Sequence, residues 1–329
     1  MWTEFVIIVL KVVITLKDTV LCVGEALIDF IPEIRSTNLT DVHTFQRMVG
    51  GAPANVAAAI AKLGGKSKLF TKLGNDPFGH YIVEELSNLN VDTSDILYDD
   101  QSDTSLAFVT LDKDGNRDFK FYRRSAADLQ LCVDDIPRDI MENVKVLHFG
   151  SVDLVESPMK EVHNYLIKLA KLNDVVVSFD PNVRLDLWDD LDAYQQTIRD
   201  YLEYVDIIKV SKDELEFIAG TDNILSAVKY FFSKGIKQVV YTMGEAGARV
   251  YFDDMTYVEA PGVKVETVDT TGAGDAFIGT YLFMMTNSNL EHYDNKIIAY
   301  LSLLLANKCA AHACKSYGAI NSYISKEQM

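Results

Sequence analysis

Short, nearly continuous apolar runs alternate with longer segments of helical period along most of this chain. The runs are Val20 to Val23, Lys68 to Lys72, Val144 to Phe149, Val175 to Phe179, Ile207 to Val210 and Gln238 to Thr242. Strands of a parallel sheet read this way, because helices cover both faces and no alternate position looks out to water. Pro53 to Leu63 (PANVAAAIAKL) predicts a helix, with Pro opening its first turn and Gly64-Gly65 following its end. Phe78 to Leu89 predicts another, amphipathic one. Two stretches break the alternation, Ala26 to Val49 and Thr104 to Arg123, and the second reads as a hairpin with Asp114-Gly115 at its turn. The expected fold is α/β: a doubly wound, mostly parallel central sheet with helices on both faces and a small β-sheet lid from about 26–49 and 104–123. No Pro-, Gly- or Ser-rich linker divides the chain, so residues 19–329 are expected to form one domain after an extension over 1–18.

That extension carries an apolar run, Phe5 to Leu16 (FVIIVLKVVITL), interrupted by Lys11. It is too short to cross a bilayer, which needs roughly 20 apolar residues. Glu4 before it and Leu16-Lys17-Asp18 after it do not fit a signal peptide. The 329 residues hold 31 Lys and Arg against 48 Asp and Glu, a net charge of −17. Such a field repels nucleic acid and anionic membranes, so neither is an expected partner and any anionic ligand must be held by local groups. The sign does change locally: Val42 to Asn75 has five basic residues and no acid. Four cysteines without a CxxC pair and six histidines without HExxH point to a reducing, cytoplasmic compartment and to no zinc site.

Candidate chemistry concentrates in two glycine-rich segments. In Asp269 to Asp275 (DTTGAGD), followed by the uncharged helical run AFIGTYLFMM, Gly272 and Gly274 let successive backbone N–H groups converge on an anion at a helix start. Asp275 then sits in the first turn, able to take a proton from a hydroxyl. A plain glycine loop with an acidic first turn remains the alternative. Gly50 to Asn55 (GGAPAN) could admit a polyol to the backbone, with Asn55 offering both donors and acceptors; a tight strand-to-helix turn is the other reading. Gly74 to His80 (GNDPFGH) has P-loop glycine spacing but lacks the Lys and the Ser/Thr. No HRD…DFG set and no GxSxG elbow is present.

Together, Gly50 to Gly74 and Asp269 to Leu282 resemble the two signatures of the ribokinase-like (PfkB) family of carbohydrate kinases, and the similarity runs in order from about Thr19 to about Ser322. GGAPANVA, FYRRSAAD (Phe121 to Asp128) and DPNVRLDLW (Asp180 to Trp188) look most like fructokinases. The resemblance implies transfer of the γ-phosphoryl of ATP to the 6-hydroxyl of fructose, with Mg²⁺. Asp275 matches the family's base, and Gly272, Ala273 and Gly274 its backbone anion hole. Asp29 (in GEALIDF), Gly51 and Asn55 match sugar contacts, and Arg123 and Arg184 fall where related kinases place cations near the substrate. Ser211 and Glu214 occupy the NxxE metal-and-phosphate motif, with Ser in place of the usual Asn and Glu214 meeting Mg²⁺ through water. Thr242, Gly244 and Gly247 match the nucleotide loop, and Asn307 lies in the segment expected beside adenine. Asp269, Thr271 and Gly318 lie where several members bind a monovalent cation, usually K⁺. Thr280 stands where Ala or Gly is usual. Lid sheets of this family close over the sugar and often pair between two subunits, so a homodimer through the lid is expected. The alternatives are a kinase of 2-keto-3-deoxygluconate or of another sugar or nucleoside, because YR and DPNxR also occur in sugar-acid kinases, where the arginines can pair with a carboxylate, and a non-catalytic sugar or nucleotide sensor, which the intact GAGD loop counts against.

Overall fold

A computed structural model describes residues 17–32, 39–111, 117–287 and 295–328. The apolar run of the extension and the Asp114-Gly115 turn lie outside them. The chain starts with β1 (Thr19–Val23), β2 (Leu27–Pro32), β3 (Phe45–Gly50), α1 (Ala52–Lys62), β4 (Lys66–Phe70), β5 (Lys72–Gly74) and α2 (Pro77–Asn88). It continues with β6 (Leu97–Asp99), β7 (Leu106–Leu111), β8 (Arg117–Tyr122), β9 (Val144–Phe149), α3 (Pro158–Leu172), β10 (Val176–Phe179) and α4 (Leu191–Tyr201). The rest is β11 (Ile207–Val210), α5 (Lys212–Ala219), α6 (Ile224–Ser233), β12 (Gln238–Thr242), β13 (Gly247–Phe252), β14 (Tyr257–Pro261), α7 (Ala273–Asn287) and α8 (Asn295–Ala313).

An eight-stranded sheet has the order β14-β13-β12-β11-β10-β9-β1-β4. The strands from β12 to β4 are parallel, and β13 and β14 add an antiparallel edge. The fold is thus the expected α/β arrangement. Alternate side chains of each strand feed two cores: Val20, Cys22 and Val240 pack with α1, α7 and α8, while Leu21, Val23 and Val239 pack with α3, α4, α5 and α6. The run Lys68 to Lys72 is two strands, not one. β4 begins at Lys66, opposite Thr19, and the chain then leaves the sheet at Thr71 so that β5 pairs β6 instead.

A second, four-stranded sheet has the order β3-β2-β7-β8. β2 pairs β3 antiparallel and β7 parallel, and β7 pairs β8 antiparallel in the register Leu106 to Tyr122. Phe30 stacks on Phe108 at 4.8 Å between ring centroids, with Phe45 edge-on to both, so aromatic contacts hold its strands together. Gly74 to His80 is a helix start: Asp76 Oδ1 accepts from the N–H groups of Phe78 and Gly79 at 2.8 Å, capping α2.

Candidate active site

The loops that leave β1, β9, β10, β11 and β12 all emerge at the carboxyl edge of the parallel strands, where open α/β sheets bind ligands. α7 starts at this edge with Ala273, which places Asp275 in its first turn. The turn before it is built by the chain's own polar groups. Asp269 Oδ1 accepts from Thr271 N–H at 2.7 Å, Asp269 Oδ2 from Gly318 N–H at 2.9 Å, and Ala273 N–H donates to Thr270 O at 3.2 Å. Gly272 has φ +71°, and a β-carbon there would lie 2.4 Å from the Tyr323 hydroxyl, which itself donates to Gly272 O at 3.0 Å. Only glycine combines that backbone angle with that closeness.

Asp275 is 8% exposed and accepts from Asn55 Nδ2 at 2.8 Å on Oδ2. Burial lifts its carboxyl above the ordinary range, against the bond from Asn55 and the charges of Lys209 and Arg184. Lys209, on β11, lies beneath the loop. Its Nζ lies 3.0 Å from where a β-carbon on Gly274 would stand, and 2.9 Å from Asp180 Oδ2. Asp180 follows β10, and burial with the charges of Glu214 and Asp275 around it pushes its carboxyl up to about 7 despite Lys209. Glu214 answers the opposite way. Burial raises it, yet Lys209 and hydrogen bonds hold it below the usual glutamate range, so it is the firmly ionised member of the cluster.

Those bonds show why Ser211 and Glu214 sit as they do. Ser211 N-caps α5 by accepting from Glu214 N–H at 3.4 Å, while Glu214 Oε2 accepts from Ser211 N–H at 2.8 Å and Oε1 from Val183 N–H at 3.1 Å. A serine thus satisfies the capping geometry in the place of asparagine. Arg184 Nη1 donates to Val183 O at 3.1 Å, and its charge reaches Asp275.

On the second sheet's side, Asp29 lies on β2 and is 7% exposed. Its Oδ2 occupies the space that a side chain on Gly50 would take, which explains the first glycine of GGAPAN. Gly51 has φ +100° and N-caps α1, where Glu25 Oε1 accepts from Ala52 N–H at 2.9 Å. The segment is therefore a strand-to-helix turn that also presents Asn55, 4% exposed, to Asp275. Arg123 follows β8 and is buried; its guanidinium donates to Asp128, to Asp153 at 2.6 Å and to Val152 O at 3.2 Å. The structure brings Arg123 to these carboxylates. Burial pushes Asp153 up to about 6 and raises the Glu25 carboxyl well above its ordinary value, with Arg123 opposing both shifts.

Beyond β12, Thr242 ends the strand and Gly244 and Gly247 bracket a tight turn closed by Met243 N–H on Gly247 O at 2.8 Å. Asn307, on α8, donates through Nδ2 to Ala260 O at 3.2 Å and Pro261 O at 3.0 Å, bracing the end of β14 beside that turn. Thr271 Oγ1 is buried with no protein hydrogen-bond partner, next to the Asp269 carboxylate. Thr280 is accommodated inside α7 because its hydroxyl bonds back to Ala276 O at 2.7 Å.

The arrangement can hold an anion on first-turn N–H groups above an ammonium, and it can receive a proton on a buried carboxylate 2.8 Å from a fixed donor. Sequence reasoning passed over Lys209, Asp180 and Tyr323. Lys209 had a signal, a lone charge inside the buried run Ile207 to Val210; Tyr323 had none, since its contact with Gly272 spans 51 positions.

The pfkB family carbohydrate kinase model matches residues 17–326. Fructokinase-2 of Zea mays is 40% identical over 306 residues, covering 92% of this chain and 90% of that protein. Among solved structures, a fructokinase from Xylella fastidiosa with bound ATP superposes with TM-score 0.83 at 28% identity, over 95% of this chain and 97% of the other. A fructokinase double mutant from Vibrio cholerae O395, in fructose-, ADP- and potassium-bound form, does so with TM-score 0.83 at 33% identity, over 93% and 95%.

Proposed function

The chain belongs to the pfkB family of carbohydrate kinases, and on that premise we propose that it is an ATP-dependent fructokinase, transferring the γ-phosphoryl of ATP to the 6-hydroxyl of fructose. The observation that carries the reading is Asp275, buried in the first turn of α7 behind the Gly272 turn and held by Asn55. Phosphoryl transfer asks for positioning and charge neutralisation more than for covalent chemistry. Asp275 takes the proton of the attacking hydroxyl, while the backbone of Gly272, Ala273 and Gly274, with Lys209 below, receives charge on the transferred group. Asp29, Gly51, Asn55 and Arg184 orient the sugar, and the four-stranded sheet closes over it as a lid that excludes water. Thr242, Gly244, Gly247 and Asn307 line the nucleotide side.

Glu214 fits a water-mediated contact to Mg²⁺: it is ionised, and both its oxygens retain lone pairs beyond the backbone N–H bonds they accept. Bound Mg²⁺ would screen charge on the phosphate oxygens. The orphaned Thr271 Oγ1 beside Asp269 and Gly318 suits a monovalent cation such as K⁺, which would steady the turn before α7.

Arg123 is taken up by Asp128 and Asp153 and so is not offered to a substrate carboxylate, which favours fructose over a sugar acid. We place the enzyme in the cytoplasm, as a homodimer through the lid sheet, its edges covered by pairing. No helix among the described residues is long and apolar enough to cross a membrane. An ADP-release assay over fructose, ribose, 2-keto-3-deoxygluconate and nucleosides tests the reading. Fructose should give the highest kcat/KM; turnover of the sugar acid with none of fructose would overturn it.

A further inference from the structure

We propose that Asn55 is a positioning residue for Asp275: its amide holds one carboxylate oxygen while its carbonyl oxygen receives a hydroxyl of the sugar, tying recognition of the acceptor to the aim of the proton acceptor. The inference rests on the kinase reading above, in which Asn55 figures only as a sugar contact.

The two residues come from the first turns of different helices, α1 and α7, that pack side by side, and 220 positions separate them. Nδ2 meets Asp275 Oδ2 at 2.8 Å, and both side chains are more than nine-tenths buried. The amide orientation follows from chemistry, since an ionised carboxylate only accepts and the NH₂ end must face it. Asn55 Oδ1 is thereby turned the other way, buried and with no partner in the protein. A buried carbonyl oxygen without a donor is costly, and a sugar hydroxyl is a donor of the right size to relieve it. The same bond uses one lone pair of Oδ2 and fixes the orientation of the Asp275 carboxylate toward the reacting hydroxyl. A carboxylate rotated away would bind no proton in line with transfer, and a displacement of about 1 Å can cost on the order of 10²-fold in rate.

The groups that face Asp275 from neighbouring elements are Lys209 on β11, Arg184 and Asp180 after β10, Glu214 on α5 and Tyr323 near the C-terminus. Burial raises its carboxyl, and among the groups that oppose this the Asn55 amide comes first. Loss of that donor therefore raises the pH at which Asp275 ionises.

The test uses Asn55→Asp, which keeps the shape and replaces the donor by a second carboxylate, and Asn55→Ala, which removes both atoms. The pH profiles of kcat and the KM for fructose are measured for both and for the parent enzyme, after melting curves show folded protein. Expected are a fall in kcat of roughly 10- to 100-fold in both variants, and an acid limb displaced upward in Asn55→Ala and further in Asn55→Asp. A raised fructose KM with kcat and the acid limb unmoved, in the folded Asn55→Asp enzyme, makes Asn55 a sugar ligand alone and overturns the proposal. Asp275→Asn, assayed beside them, separates the two readings: if it keeps full turnover, the base assignment has failed. If it is inactive while the Asn55 limbs do not move, only the positioning role has failed.

Discussion

Removing one cation should expose how tightly charge is balanced beneath the transfer site. Lys209 is 7% exposed, with Nζ at 2.9 and 3.2 Å from the two oxygens of Asp180, and it shares its field with Glu214 and Asp275. Lys209→Met keeps the length of the stem and leaves Asp180 buried without its counter-ion. Breaking a buried pair from one side costs about 3–5 kcal/mol. With an unfolding entropy of ~2.1 cal/mol/K per residue over roughly 300 residues, that corresponds to a Tm lowered by about 5–8 °C. The loss has a pH signature. Asp180 already ionises only near pH 7 with the lysine present, so in its absence the carboxyl takes up a proton more readily still. A raised carboxyl favours the folded state while protonated and costs stability as pH climbs through it, so the Tm deficit should be larger at pH 8 than at pH 6. Adding Asp180→Asn removes the stranded charge and should restore more than half of the loss. Scanning calorimetry of the parent, the two single variants and the double variant at both pH values reads all of this. Lys209→Met within about 1 °C of the parent, or a double variant no better than Lys209→Met, refutes the reasoning.

Two further predictions rest on independent features. Gly272→Ala puts a β-carbon at φ +71° and 2.4 Å from the Tyr323 hydroxyl, so the turn before α7 must shift; kcat should fall at least tenfold with far-ultraviolet circular dichroism unchanged, and parental kcat would show the turn to be tolerant. His163 is buried beside Phe149, and burial pushes its imidazole down to about 3. It is neutral in the fold and protonates near pH 6.5 once unfolded, so it withdraws stability as pH falls from 6.5 toward 3, by up to about 1.4 kcal/mol per pH unit. His163→Phe should therefore show a Tm that declines less steeply than the parent's between pH 6.5 and 4.5, and parallel declines would contradict this.

The parts that could be read from sequence were those set by local pattern. Ile207 to Val210 and Gln238 to Thr242 are strands at the residues where the apolar runs lie, because burial on both faces keeps such a strand mostly apolar and short. The helix over Pro53 to Leu63 lies within a residue of its expected bounds for the same kind of reason, Pro and Gly marking its ends. What pattern could not carry was pairing across the chain. The break at Thr71 depends on β5 finding β6, and the burial of Arg123 depends on Asp153, 30 positions on. Within the site, Asp275 and the glycines before it announced themselves by spacing, whereas the Asn55 bond, the Asp180–Lys209 pair and the Tyr323 brace are contacts between elements remote in sequence.

The central claim is that Asp275 takes the proton of the acceptor hydroxyl. Fructose-dependent ADP release by Asp275→Asn, measured together with ATP affinity by calorimetric titration, tests it most directly. Asparagine has the same shape and still meets Asn55, but it cannot accept a proton, so kcat should fall by about 10²–10⁴-fold while ATP binding stays within a few fold of the parent. Turnover at the parental rate would contradict the account.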